Sequence, residues 1–432
     1  MNLSRRGLWL AAGVLLLGVV SQWLPDGDGA AWRALAALWV LAIALEGWWT
    51  HLWRIETQWN IPNPLRLGRP ALASITLSTR DVRPLTADVF LIPPSGVDVQ
   101  PQHQRIFIDR QGCELTQSWT PTQLGALRNP VLQLRLLGGF GLVWWSRRLP
   151  CTLSAPRVEP DLLNNDNPLA GRRSGMAVPM RARGAGTELL GLRDYTTSDP
   201  MRALAWKASA RRGRPLVREF VQEQQLDLMI IIDAGRAGRQ QIGSLTRLHH
   251  AANASARLAQ RACTFGDRVG LIVYNGRGVC AMLTPTAGLA GLRRLRHELA
   301  ALAAQADDAD PLSAALALRR HCPHRALALW FTDVDTGASA EPLQRCAQLL
   351  VPRHLPLFAG LVDRDVVALA EREPRSWKDP YIALAAAQSI DAAELQARTL
   401  RRMGCIVVQT PPQETDARLL SRYESLRARR TI

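Results

Sequence analysis

Two carboxylates at predicted strand ends are the residues best placed to do chemistry in this sequence. Asp233 and Asp333 each follow a continuous apolar run. Parallel strands of an α/β sheet present their carboxyl ends at one edge, where ligands bind. Carboxylate and hydroxyl oxygens are the ligands that Mg²⁺ and Ca²⁺ take in proteins. The strand ends therefore predict a candidate divalent-cation site.

The residues around Asp233 argue against that site. The next four positions are Ala234, Gly235, Arg236 and Ala237, which supply no hydroxyl, and the arginine would compete with a cation. In the alternative interpretation both aspartates bond loop N–H groups or pair with Arg236. Only the first interpretation supports a metal-dependent hydrolase. The sequence has no phosphate-binding loop, nucleophile elbow, zinc-protease motif or dinucleotide-binding glycines, so we expect neither enzymatic activity nor a cofactor.

A basic stretch precedes the first of these strands. Residues 172–218 hold eleven basic and three acidic side chains, and this difference of +8 is half of the formal net charge of +16. A short helix is predicted here, capped by Ser198 or Asp199, with Pro200 at its first position and Gly213 at its end. Two interpretations stay open: a linker helix whose Trp206 packs on a neighbour, or a surface that binds an anionic partner.

The same stretch resembles the signature of the bacterial family called domain of unknown function 58. The residues that carry the resemblance are Gly191, Arg193, Asp194, Tyr195, Asp199, Arg202, Trp206, Lys207, Arg211, Glu219 and Phe220. The resemblance implies a membrane hairpin, a small β-domain, this motif and a von Willebrand factor type A-like domain. It also implies a protein partner, an AAA+ ATPase of the MoxR type, and gives the motif residues a partner-binding or structural role.

Type A domains hold their cation with an Asp-x-Ser-x-Ser motif, a threonine from a later loop and a further aspartate. Both serine positions of that motif are lost here, because Gly235 and Ala237 occupy them. No threonine occurs between Thr286 and Thr332, so Asp310 or Ser313 of the predicted loop 307–313 would have to take its place as a ligand. The resemblance therefore predicts the fold of this domain with a degenerate cation site.

Four segments are predicted along the chain. They are a two-helix transmembrane hairpin (1–54), a small β-sandwich (55–156), a basic linker with the signature motif (157–225) and a type A-like α/β domain (226–432). Short alternating apolar runs separated by Pro, Gly and Asn indicate the sandwich. Continuous apolar runs that alternate with helical segments indicate a doubly wound, mostly parallel sheet.

The predicted hairpin consists of apolar runs at 8–24 and 34–45, joined by an acidic turn. Arg5 and Arg6 precede the first run, and Arg54 follows the second. The positive-inside rule then predicts two spans of the inner membrane, with both termini and the main domain in the cytoplasm. Glu46 is either a functional carboxylate inside the membrane or, as we expect, a residue near the interface.

Seven scattered cysteines without a C-x-x-C pair exclude a zinc ribbon and indicate a reducing compartment. The basic excess would also suit anionic lipid or nucleic acid, but aromatic residues are sparse in the basic stretch and no nucleic acid is expected. The favoured hypothesis is a membrane-anchored protein-interaction scaffold.

Overall fold

The computed structural model describes residues 2–21, 23, 30–79, 85–151, 153–163, 183–196, 199, 201, 204–221, 225–334 and 337–429. Side chains at 30, 183–190, 218–221 and 337–339 are left out of the description. The chain divides into two compact units. The first comprises residues 1–161, 238–253 and 296–304, and the second comprises 162–237, 254–295 and 305–432.

Two helices begin the first unit, α1 (Arg5–Ser21) and α2 (Ala30–Leu52). Within the described residues, the segment Ala31–Leu52 is long and apolar enough to cross a membrane, with a mean hydropathy of 1.4, and only 17% of its apolar window is buried. Helix α1 has 17 residues and is shorter. The two helices approach at Gly18, where an added Cβ would lie 3.3 Å from the Trp32 ring. One candidate span is thus present, and the two-span hairpin stays a prediction.

Two antiparallel sheets of the first unit enclose one core that includes Ile75, Trp119 and Leu134. One sheet has the order β1-β11-β10-β5-β7, the other has the order β2-β4-β8-β6, and a small third sheet has the order β3-β12-β9. Burial alternates along β4 and β10, as expected for strands with one face in the core. The strands are β1 (Asn2–Leu3), β2 (Ile55–Asn60), β3 (Leu65–Arg66), β4 (Ala71–Thr79), β5 (Leu85–Ile92), β6 (Val97–Gln100), β7 (His103–Ile108), β8 (Cys113–Pro121), β9 (Gly125–Ala126), β10 (Val131–Leu137), β11 (Val143–Pro150) and β12 (Arg157–Glu159).

Glu46 of α2 is buried against the turn between β10 and β11. Its carboxylate accepts hydrogen bonds from the backbone N–H of Phe140 (2.7 Å) and of Leu142 (3.1 Å). At Gly138 a Cβ would come within 2.3 Å of the same carboxylate, so a larger residue there would displace the Glu46 side chain. Ser4, just before α1, donates its backbone N–H to the Leu142 carbonyl at 2.8 Å. Glu46 is therefore a structural carboxylate that links the candidate membrane helix to the β-domain.

A six-stranded mixed sheet forms the centre of the second unit, in the order β19-β18-β15-β20-β21-β22. All neighbours are parallel except β19, which is antiparallel to β18. This confirms the predicted mostly parallel α/β sheet, while the type A assignment stays a prediction. Its strands are β15 (Asp227–Asp233), β18 (Arg268–Asn275), β19 (Gly278–Ala287), β20 (Leu327–Phe331), β21 (Leu355–Leu361) and β22 (Ile406–Thr410). The other strands after residue 160 are β13 (Arg183–Asp194), β14 (Leu216–Val221), β16 (Gln241–Ile242) and β17 (Leu245–Thr246).

The strands of this sheet are long apolar segments because helices shield them from water. Trp330 and Phe358, on adjacent strands, are fully buried in the core. The helices after residue 200 are α3 (Trp206–Arg212), α4 (Arg247–Thr264), α5 (Gly288–Ala300), α6 (Pro311–His321), α7 (Gly337–Leu350), α8 (Arg364–Glu371), α9 (Asp379–Arg402) and α10 (Pro412–Ala428). Helix α7 carries Pro342 inside it.

Candidate functional site

The family signature folds into a hairpin arm, which we call the signature arm and define as β13, α3 and β14. Strands β13 and β14 are antiparallel, with Gly191 opposite Glu219 and Arg193 opposite Val217. They form a separate two-stranded sheet, and neither pairs with another strand in the described part of the chain. Signature residues from the two ends of the motif, among them Gly191, Arg193 and Glu219, are thereby brought onto neighbouring strands.

An ion pair fixes the turn that follows β13. Both guanidinium nitrogens of Arg193 donate to the carboxylate of Asp199, one of them at 2.7 Å. Asp199 also accepts from the backbone N–H of Thr196 at 2.9 Å and from its hydroxyl at 2.8 Å. Hydrogen bonds from Arg193, followed by those from Thr196, hold the pKa of Asp199 well below its usual range. The carboxylate therefore stays ionised and paired at neutral pH.

Helix α3 is attached to β14 through its first turn. Ala205 donates its backbone N–H to the Leu216 carbonyl at 2.8 Å. Ser209 completes the attachment, since its hydroxyl accepts from the Leu216 N–H at 2.9 Å. Gly213 ends the helix in the left-handed conformation, with φ of 64°, which confirms the predicted stop. Of the predicted start, Ser198 and Pro200 lie outside the described residues. The helix begins at Trp206, and Asp199 binds Arg193 and Thr196 instead of capping it.

Trp206 lies on the open surface of α3 and is 67% exposed. The interpretation that this tryptophan packs on a neighbour is therefore wrong. No residue of α3 is buried, and the exposed cations Lys207, Arg211 and Arg212 lie on the same helix. The arm consequently presents an indole ring among positive charges.

The remaining signature residues lie around this surface or outside the description. Asp194 forms an ion pair with Arg214, with 3.1 Å between the carboxylate oxygen and the guanidinium nitrogen, and both side chains are largely exposed. Tyr195 donates its backbone N–H to the Pro215 carbonyl at 3.0 Å and closes the hairpin. The backbones of Glu219 and Phe220 lie in β14, but their side chains are outside the description, as is all of Arg202.

The strand-end aspartates follow two adjacent strands, at the point where the strand order reverses. Strand β15 lies between β18 and β20, so the ends of β15 and β20 are adjacent. Asp233 accepts from the Gly235 N–H at 2.8 Å and from the Thr332 hydroxyl at 3.1 Å. Sequence reasoning missed this threonine, although it directly precedes Asp333. Asp333 itself is buried.

The other predicted ligands, Asp310 and Ser313, form hydrogen bonds within their own loop and helix. Asp310 caps α6 by accepting from the Leu312 N–H at 3.1 Å, and Ser313 donates its hydroxyl to the Asp310 carbonyl at 2.8 Å. The expected partner of Asp233, Arg236, instead pairs with Asp308 at 2.9 Å. Among the described residues, no group of three or more His, Cys, Asp or Glu side chains is placed to hold a metal ion.

A buried tyrosine lies close to Asp233. Tyr274 of β18 is fully buried, and its hydroxyl accepts from the indole N–H of Trp330 at 2.8 Å. Burial, and then the charge of Asp233, raise the pKa of Tyr274 well above its ordinary value. The hydroxyl thus remains protonated, and Tyr274 serves as a packed, hydrogen-bonded core residue near Asp233.

The fold and the arm define a mixed α/β protein with an exposed aromatic and basic element, and one comparison with known proteins matches part of the chain to a family. The family model described as "Protein of unknown function DUF58" matches residues 191–380. This part of the chain, which begins in the signature arm, belongs to that family.

Two further comparisons add little. No curated protein matches the chain. A solved structure described as WR4, a C. elegans MSP family member, is 12% identical and covers 22% of this chain and 97% of its own, with a TM-score of 0.16. A likeness this low carries no weight for fold or function.

Proposed function

We propose that this protein is a membrane-anchored interaction scaffold whose signature arm binds an acidic surface of a partner protein. The observation that carries the proposal is the exposed Trp206 on a helix with no buried residue. Tryptophan and arginine are enriched at the energetic centres of protein interfaces. Exposing a large indole ring to water is unfavourable unless another surface covers it for part of the time.

The arm is suited to this role because it is largely preformed. The Arg193–Asp199 pair fixes the turn before α3, and Ser209 ties the helix to β14. A preorganised surface loses less conformational entropy on binding than a disordered one. The cations Lys207, Arg211 and Arg212 would then attract an acidic partner and set its orientation.

The family resemblance suggests an AAA+ ATPase of the MoxR type as the partner, acting in protein-complex maturation or envelope function. Helix α2 would hold the scaffold at the membrane. Anionic lipid or nucleic acid is the alternative partner of the basic arm, and it predicts direct binding of the chain to anionic vesicles or RNA that weakens steeply with salt.

The test measures binding of the purified chain, in detergent, to the MoxR-type ATPase of the same cell, with and without nucleotide. Trp206→Ala is expected to weaken binding by about tenfold or more, since interface tryptophans often contribute about 2 kcal/mol. The matched control is Trp377→Ala, which removes another exposed tryptophan.

The charge contribution is tested with a double variant, Arg211→Glu and Arg212→Glu, against Arg293→Glu and Arg294→Glu on the exposed side of α5. Only the first pair should weaken ATPase binding. Absence of ATPase binding in every nucleotide state would refute the proposed partner. Binding of the full chain to anionic vesicles or RNA that is lost steeply with salt would instead favour a lipid or nucleic-acid partner.

A further inference from the structure

Strand β22 is an edge of the six-stranded sheet. It pairs with β21, and no other described strand lies beside it. An edge strand offers unpaired backbone N–H and C=O groups to any extended chain that lies alongside. Here the open edge borders a groove of about 800 Å³ between β22 and α10, a volume within the range of ligand pockets.

The register shows which backbone groups face this groove. The Thr410 carbonyl accepts from the Val362 N–H at 3.0 Å, on the β21 side. Alternate residues of a strand direct their N–H and C=O groups to opposite sides. Ile406, Val408 and Thr410 therefore face β21, whereas Val407 and Gln409 direct their N–H and C=O groups to the open edge.

The opposite wall of the groove is one face of α10. Ala417, Ser421 and Ser425 lie four residues apart and form a row of small side chains, which leaves room beside the strand. Exposed arginines flank this row, namely Arg418, Arg422 and Arg429, with Arg401 at the end of α9. Among the described residues, those that line the groove include no aspartate or glutamate.

The positive charge of the groove favours an acidic ligand. Arg418 pairs with Glu414 at 3.4 Å, whereas no ion pair within the described residues occupies Arg401, Arg422 or Arg429. A second copy of the chain, paired edge to edge, would place two sets of arginines together and be repelled. An extended segment with carboxylates on alternate residues would satisfy both the open edge and the arginines.

We propose that the β22–α10 groove binds an acidic, extended peptide segment of a partner protein, which adds to the sheet as a seventh strand. This recognition mode obtains affinity from backbone hydrogen bonds and specificity from alternate side chains. The groove is distinct from the signature arm, so the protein has a second interaction surface that does not depend on the arm.

The probe is a capped, fluorescent six-residue peptide that alternates glutamate and valine, titrated by anisotropy against the full chain in detergent. Arg422→Glu is expected to weaken binding by about tenfold or more, because it reverses a charge beside the bound strand. Arg294→Glu makes the same change in net charge outside the groove and should leave binding within about twofold. A lysine–valine peptide should not bind.

Backbone pairing is tested separately from charge. N-methylation of the alternate peptide amides that face β22 should abolish binding, whereas methylation of the other set should not. Bound peptide should also slow hydrogen exchange at the amides of Val407 and Gln409.

The proposal is overturned by any of four results: no binding at millimolar peptide, indifference to both methylation patterns, full competition by inorganic phosphate, or self-association of the chain through β22. Phosphate competition would identify a simple anion site. Self-association would identify an edge that pairs with its own copy. Loss of arm binding through Trp206→Ala should leave the peptide titration unchanged, so the two surfaces can fail independently.

Discussion

Asp267 shows how a single carboxylate is accommodated in the core of the α/β unit. It is fully buried and accepts hydrogen bonds from the Leu226 N–H (3.1 Å), the Arg427 guanidinium (3.0 Å) and the Tyr423 hydroxyl. Burial, and then the charge of Asp267, raise the pKa of Tyr423. A buried carboxylate is tolerated only when its oxygens are paired, so these donors connect α10 to the start of the sheet.

Removing the Tyr423 hydroxyl tests that connection. Tyr423→Phe is expected to lower the free energy of unfolding by about 1–3 kcal/mol, because it leaves a buried carboxylate short of one donor. The measurement is thermal or denaturant unfolding of the purified chain. Tyr381→Phe is the matched control, since that tyrosine is 70% exposed, and equal effects of the two variants would contradict the prediction.

His249 makes the stability of the chain depend on pH. Its ring is buried, and burial, followed by the nearby charge of His250, lowers the pKa of His249 from about 6.5 to about 4. Between these values the unfolded chain binds a proton that the folded chain does not, so stability falls as the pH falls from 6.5 towards 4. The largest contribution is about 3 kcal/mol.

The variant His249→Gln should remove this contribution. As the pH decreases through that window, the unfolding free energy of the parent chain is expected to fall more than that of the variant. His297→Gln, at an exposed position of α5, is the control. A difference that stays constant with pH would show that His249 does not titrate as proposed.

At the scale of elements, Glu46 determines how α2 is attached to the β10–β11 turn. Glu46→Ala removes the acceptor of the Phe140 and Leu142 N–H groups. Hydrogen exchange at these two amides should accelerate, because an unpaired N–H exchanges from a locally open state. Glu46→Gln keeps one carbonyl acceptor and is expected to retain part of the protection. Unchanged exchange in Glu46→Ala would show that the bonds do not protect the turn.

Continuous apolar runs predicted the parallel strands because such strands are shielded on both faces and carry little polar sequence. The run before Asp233 is β15, and the run before Asp333 contains β20. The contact between Asp233 and Thr332 was not predictable, since it joins positions 99 residues apart and depends on strand order. The partners of Glu46 were missed because they are backbone N–H groups, which leave no side-chain pattern.

The start of α3 was mispredicted for a related reason. A local capping signal at Asp199 competed with a guanidinium six residues earlier in the chain, and the ion pair with Arg193 prevailed. Charge-assisted bidentate hydrogen bonds are roughly twice as strong as neutral ones. Capping patterns are thus reliable only where no opposite charge lies within reach of the same carboxylate.

At the scale of the whole molecule, helix α2 combines high hydropathy with high exposure. Leu38, Leu41 and Leu45 are each more than half exposed, and 17% of the apolar window is buried. A core helix of a soluble domain would also be apolar, but it would be mostly buried. The charge distribution, with Arg5, Arg6 and Arg54 flanking the helical segments, leads us to expect the α/β unit on the cytoplasmic side.

The topology can be read from a native thiol. Cys280 is the exposed cysteine of the α/β unit, and burial around its sulfur raises the pKa of the thiol. Because little thiolate is present, labelling at neutral pH, where a maleimide is selective for thiols, needs a long incubation. A membrane-impermeant maleimide should leave Cys280 unlabelled in intact spheroplasts and label it after lysis, with Cys280→Ser as the control for other thiols. Labelling in intact spheroplasts would place this unit outside the cell and refute the cytoplasmic scaffold.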